Sequence, residues 1–291
     1  MTISQELLFE AKRRDTKTER FKFLLDSGAD INARSNSGRT ALMYAAKCNR
    51  NLEVVKFLVD AGSDVLLRDS SGFNALMLAA RNNPNPEVTK FFLSLGLEIE
   101  AKNLRGETAL ILAASSNRNP DVVKILLDSG ADINAKSNND FSVLENAALC
   151  NTNAEIVKVL LEAGAVVSEK STRFAASWNE NYKVLELLLN DESVSEKRDE
   201  YLSRRLHEAA CYNKPRVIKF LLDSGANVNE RFYNGQTSLM AAACFGRSKN
   251  VLQLLLKSGA DLNAQDNDAK TAIDHARDDK TRKILLDAMN S

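Results

Sequence analysis

The stretch LLDSGADIN, Leu24 to Asn32, decides the fold, because it returns unchanged at Leu126 to Asn134. Drifted copies stand at LVDAGSDV (Leu58 to Val65), LSLGLEI (Leu93 to Ile99), LLEAGAVV (Leu160 to Val167), LLDSGANVN (Leu221 to Asn229) and LLKSGADLN (Leu255 to Asn263). Gly28, Gly62, Gly96, Gly130 and Gly164 follow one another at intervals of 34 residues, as do Gly225 and Gly259. A period of this length marks an array of like supersecondary units, each of which leaves an apolar face for its neighbour to cover. The glycine that closes each apolar run suits the left-handed residue that ends a helix.

Between these steps runs a second signature: TALMYAA (Thr40 to Ala46), NALMLAA (Asn74 to Ala80), TALILAA (Thr108 to Ala114), SVLENAA (Ser142 to Ala148), RLHEAA (Arg205 to Ala210) and TSLMAAA (Thr237 to Ala243). Paired alanines let the first helix of a unit approach its neighbour closely, while EVVKFLV (Glu53 to Val59) has the spacing of a second helix with a broad apolar face. Turn residues around Asn36 to Arg39, with Gly38, predict a projecting connection between units.

The second signature resembles the T-P-L-H-x-A pattern of ankyrin repeats, whose usual period is about 33 residues. The resemblance covers nearly the whole chain and implies an all-α ankyrin-repeat solenoid of about nine helix-turn-helix units joined by β-hairpin-like fingers. The units are read as one domain, 1–291: a cap-like repeat at 1–34, regular repeats over 35–170, an irregular repeat at 171–198, regular repeats over 199–265 and a cap-like repeat at 266–291. The residue added to the usual period falls between the paired helices, where Asn49-Arg50-Asn51, Asn83-Pro84-Asn85, Asn117-Arg118-Asn119 and Asn151-Thr152-Asn153 recur.

The chain departs from the family in two ways. The proline of the motif is absent throughout and its histidine survives only at His207, so Thr40, Thr108, Thr237 and Thr271 are left to cap. One finger is shortened, since Gly164 stands only 11 residues before Ala175 where Gly28 stands 17 before Ala45. The connection that follows, NDESVSEKRDEY (Asn190 to Tyr201), has no glycine, so either the row of fingers is interrupted or a short helix replaces a hairpin.

Composition narrows the function. The 39 basic and 39 acidic residues cancel, which disfavours nucleic acid as the main partner. Cys48, Cys150, Cys211 and Cys244 lie far apart and form no metal-binding pair, and no apolar run approaches the roughly 18 residues of a membrane span. A cytoplasmic protein without membrane insertion is expected, although secretion without a cleavable signal would leave the same trace. Phosphate loops, HExxH and GxSxG motifs are missing, and His207 and His275 fall in different units, so we expect no enzyme, no cofactor and no metal. His275 is read as lying in the first helix of the end repeat, exposed or capping, and His207 as part of the ankyrin turn.

In ankyrin proteins the partner lies against the finger tips and the exposed end of the first helix. Two residues beyond the paired alanines stand Cys48, Asn82, Ser116 and Cys150, then Trp178, Tyr212 and Phe245. The last three form an aromatic series where partner contact is expected; for Trp178 the competing reading is packing over the shortened finger. Finger tips add Phe73, Leu104, Arg105, Phe141, Phe232 and Tyr233, with inward folding the competing reading for Phe73 and Phe141. The resemblance also places Asn32, Asn134, Asn229 and Asn263 at the position that hydroxylases modify in some family members, with turn hydrogen bonding as the structural role. The expected function is a monomeric scaffold or adaptor for a protein partner. The alternatives are a secreted or host-directed ankyrin effector, or a self-assembling structural repeat protein.

Overall fold

The structure is a computed structural model that describes residues 2–245 and 248–290. It divides into two compact units, Met1–Ala147 with Glu155–Ala165, and Ala148–Ala154 with Val166–Ser291. Each is a stack of antiparallel helix pairs, and the described residues hold no strand, only an isolated bridge between Lys136 and Ser142.

The first unit follows the repeat closely. Its regular first helices are Ala41–Cys48, Ala75–Asn82 and Ala109–Ser116, and their partners are Leu52–Asp60, Pro86–Ser94 and Pro120–Asp128. Each first helix starts where a side-chain oxygen satisfies a free amide: Thr40 accepts from the Met43 N–H at 3.3 Å, Asn74 from Met77 at 2.9 Å and Thr108 from Ile111 at 3.3 Å. The paired alanines, Ala45 and Ala46, Ala79 and Ala80, Ala113 and Ala114, are all buried. Val54, Val55 and Leu58 bury the apolar face of the first of the second helices, and Val122, Val123 and Leu126 that of the last. At the end of helix Thr18–Asp26 the chain turns through Gly28 at φ 89°, where the Ala29 amide reaches back to the Leu24 carbonyl at 3.0 Å.

The fingers are tight turns closed by backbone bonds, such as Ser35 N–H to Arg39 C=O at 2.9 Å and Asp69 N–H to Phe73 C=O at 2.9 Å. Successive fingers are tied tip to tip: the Ser70 amide donates to the Ser37 carbonyl at 3.0 Å, Leu104 to Ser71 at 3.1 Å and Asn138 to Arg105 at 2.9 Å. This contact demands glycine at Gly106, whose φ is 72° and where an added Cβ would stand 2.7 Å from the Asn138 amide nitrogen. Asn32 also joins neighbours, accepting from the Asp64 amide at 2.8 Å, and Asn229 does the same for Asp261 at 2.8 Å in the second unit.

The added residue of the long period builds a two-rail asparagine ladder between the helices. Buried Asn83 donates from Nδ2 to the carbonyls of Ala46 at 2.9 Å and Asn49 at 2.7 Å, and buried Asn117 does so to Ala80 at 2.7 Å and Asn83 at 2.9 Å. The second asparagine of the triplet caps the following helix and crosses back to the preceding loop at Asn85, which donates to the Arg50 carbonyl at 2.8 Å, and at Asn119, which donates to Pro84 at 2.8 Å. The same ladder appears in the second unit at Asn179, which donates to Ala148 at 2.9 Å and Asn151 at 2.8 Å.

The second unit contains the irregular repeat. Helix Glu169–Ser177 opens on a capping box between Ser168 and Ser171 in place of a finger. After helix Tyr182–Leu189, a 3-10 turn Glu192–Lys197 runs into the long helix Arg198–Cys211, so a helix replaces the hairpin at this connection. Helix Arg198–Cys211 therefore passes straight through the place of the ankyrin turn, and His207 lies within it. The turn role expected of His207 does not hold: its Nδ1 is buried without a hydrogen-bond partner and its ring lies 4.9 Å from that of Phe232. The end repeat also differs from expectation, because residues 271–276 form turns instead of a first helix. His275 lies there, held by Nε2 at 2.7 Å from the buried Asp266 carboxylate, while Thr271 bonds Asp274 in place of capping a helix. Among the described residues no helix is long and apolar enough to cross a membrane.

Candidate protein-binding surface

Trp178 and Tyr212 occupy equivalent positions, each the C-terminal cap of the first helix of its repeat. The Trp178 amide donates to the Phe174 carbonyl at 2.9 Å and that of Tyr212 to Glu208 at 3.1 Å, so both side chains leave the helix end in the same sense. Their rings stack with centroids 4.6 Å apart and planes inclined at 51°. Even so paired, Trp178 is 51% exposed and Tyr212 45% exposed, and Phe245 in the last turn of helix Ser238–Phe245 is 56% exposed. A salt bridge between Lys214 and Glu180 joins the loops beside the pair. Sequence reading had not singled out that bridge; its signal is that each residue stands two places after Trp178 or Tyr212.

The other expected contacts scatter. In the first unit Leu104 is exposed at a finger tip and Arg105 beside it is exposed, its amide held by Asn103 at 2.8 Å. Phe141 is half-buried. Phe73 corrects the expectation of an exposed tip: it packs in a core cluster with Met43, Met77, Leu78, Ala101 and Leu112, and Arg81 lies over its ring at 5.6 Å. The finger carbonyls and amides are spent within the turn, so the ring after the turn folds inward where methionines leave room. In the second unit Tyr233 is 81% exposed, whereas Phe232 is half-buried against His207.

The second unit also holds a charge cluster built around one fully buried arginine. The Arg205 guanidinium is buried, with Nη1 at 3.1 Å from Glu208 Oε2 and 3.3 Å from the Glu169 carbonyl, and Nη2 at 3.5 Å from Glu169 Oε1. Arg204 binds the same Glu169 at 2.7 Å. Burial pushes the Glu208 carboxyl up against the pull of Arg205, and burial draws the Arg205 guanidinium below its ordinary range. Cluster and shortened finger belong together: without a hairpin before helix Glu169–Ser177, Glu169 can reach across to the arginines of helix Arg198–Cys211.

Burial also lowers His207 to about 4. An unfolded histidine titrates near 6.5, so the folded chain binds fewer protons between these values and loses stability as pH falls from about 6.5 to about 4, by up to about 3 kcal/mol. Glu208, raised by burial, acts with the opposite sign at the acid end. Urea midpoints of wild type and His207→Gln across this range should diverge with acid, wild type losing more; parallel curves would assign the acid sensitivity elsewhere.

The profile of ankyrin repeats in three copies matches residues 7–103, 76–171 and 173–266. The chain belongs to the ankyrin repeat family. Among solved structures it is similar to the human ASB11 ankyrin repeat domain, at 26% identity and a TM-score of 0.62, covering 73% of this chain and 96% of that one. No curated protein matches the chain. Ankyrin repeats are in general modules of protein–protein interaction.

Proposed function

We propose that this protein is a scaffold or adaptor that holds a protein partner through the aromatic surface of its second unit, with Trp178, Tyr212 and Phe245 as anchors. The carrying observation is that three large aromatic side chains stand about half exposed at one register of the repeat, although buried alanines and leucines fill the core on every side. Exposed aromatics at a repeated position bring contact area at small entropic cost, which is how binding energy concentrates in few residues. Tyr233 extends the reading to a finger tip of the same unit, and Leu104 is an exposed tip of the first unit by itself. Cys48, Cys211 and Cys244, not paired in a disulfide, favour a reducing compartment as the place of action.

Replacing Trp178, Tyr212 and Phe245 together by alanine should lower recovery of the partner from source-cell lysate at least about tenfold while the melting temperature moves by about 3 °C or less. Parallel losses of capture and stability would make the rings a packing device. Sedimentation at two concentrations separates the monomeric scaffold from a self-assembling rod, which would grow with concentration.

A further inference from the structure

We propose that the first unit carries a separate binding site, a basic groove that takes an acidic segment of a partner protein in extended form. A cavity of about 450 Å³ is lined by Arg14, Lys47, Arg50, Arg81 and Arg118, with no acidic residue among its walls. In a chain whose charges cancel, five cations on one concavity are a local excess. They come from four successive repeats: Arg14 follows helix Ile3–Ala11, Lys47 and Arg81 stand in the last turns of helices Ala41–Cys48 and Ala75–Asn82, and Arg50 and Arg118 are the central residues of the asparagine triplets.

Compensation of helix dipoles accounts for Lys47 and Arg81, since cations are favoured near helix C-termini. It does not account for Arg14 and Arg50, which lie beyond the helices and are exposed. The asparagine ladder makes the arrangement rigid: with Asn49, Asn83 and Asn117 turned inward to bind carbonyls, the residue after each is turned out at a fixed point of the loop. Among the described residues of the first unit, the salt bridges of Glu6, Glu10, Glu53, Asp69, Asp121, Asp140 and Glu162 engage none of Arg14, Lys47, Arg50 and Arg81. Arg14, Lys47, Arg50 and Arg81 thus meet no carboxylate of their own among the described residues.

Charge complementarity selects an anion, and the lining selects its class. The groove contains no aromatic ring on which a base could stack, as single-stranded nucleic acid sites do. It offers instead the exposed polar side chains of Asn82 and Ser116, which can pair with a peptide backbone. Cations spaced over four repeats, three intervals of roughly 8–10 Å, match carboxylates along about seven to nine extended residues better than one compact phosphate cluster.

The test uses fluorescence anisotropy with a labelled peptide of about twelve residues alternating glutamate and glycine, the same peptide with glutamine for glutamate, and an oligothymidylate of equal charge. At about 50 mM salt, where surface charges are weakly screened, the glutamate peptide should bind at least about tenfold tighter than the glutamine peptide. Lys47→Gln with Arg81→Gln should remove that difference, and Arg50→Gln with Arg118→Gln, in exposed loops, should do the same where the first pair alters melting. The alanine triple variant of the aromatic surface should bind the peptide as wild type does, so the two sites fail separately. Equal affinity for the two peptides, retained affinity in both glutamine variants, or tighter binding of oligothymidylate than of the glutamate peptide would overturn the proposal.

Discussion

Arg205→Ala is expected to destabilise the second unit by about 3–5 kcal/mol at neutral pH, because it leaves the largely buried Glu208 carboxylate with only the weaker pull of Arg173 and Arg204. The side chain is among the largest fully buried ones in the protein, so a cavity adds to the electrostatic loss. The pair itself is a poor source of stability, since Arg205 is wholly and Glu208 mostly taken out of water and Arg205 Nε remains without an acceptor. Accordingly Arg205→Met combined with Glu208→Gln, which keeps the volume and removes both charges, should recover most of the loss. The pH dependence has a definite sign. Loss of Arg205 raises Glu208 further above its unfolded value, so stability is fullest below that value and falls as pH rises through the folded one. The deficit should therefore shrink on acidification, which urea midpoints at neutral and mildly acidic pH will read. A deficit independent of pH, or a double variant as unstable as the single, would mean that shape alone matters at this site.

Asn83→Ala is expected to cost about 3–5 kcal/mol, summed from three polar groups left unpaired at about 1–3 kcal/mol each with partial relaxation. Its Nδ2 serves the carbonyls of Ala46 and Asn49, and its Oδ1 accepts from the Asn85 amide at 3.0 Å. Ala46 stands in the last turn of helix Ala41–Cys48, and Asn49 and Asn85 flank the loop, so no helical bond replaces the lost ones. Asn82→Ala next to it, exposed on the groove, should change stability by no more than about 0.5 kcal/mol. The comparison is best made on denaturant midpoints in the same buffer, since repeat stacks can unfold in stages. Similar midpoints for the two variants would show that water reaches the ladder and satisfies the orphaned carbonyls.

The register of the proposed anchors was legible in the sequence. The register that puts Trp178, Tyr212 and Phe245 at one place follows from counting past the paired alanines, and all three are exposed there. The triplets Asn83-Pro84-Asn85 and Asn117-Arg118-Asn119 were visible as a loop extension, but their part in tying repeats together was not, because the bonds reach back 34 and 37 residues to main-chain carbonyls. The basic groove escaped notice for a related reason. Lys47 and Arg81, read within their own repeats, are ordinary helix-end cations, and only neighbouring repeats make them one wall.

What the amino-acid sequence determined by itself was the repeat: its period, its helix pairs, their caps and the place where a finger is missing. These are local, since a threonine cap or a glycine stop acts within one turn of chain, and repetition multiplies the signal. What only the tertiary structure decided was which side chains turn inward. Phe73 went to the core because methionines in its own and the preceding repeat left it a space, Arg205 was buried because Glu169 had no finger before it, and His275 lost its helix to a bond with Asp266. Each outcome depends on volume and charge supplied by other segments of the chain, which no pattern within a single repeat contains.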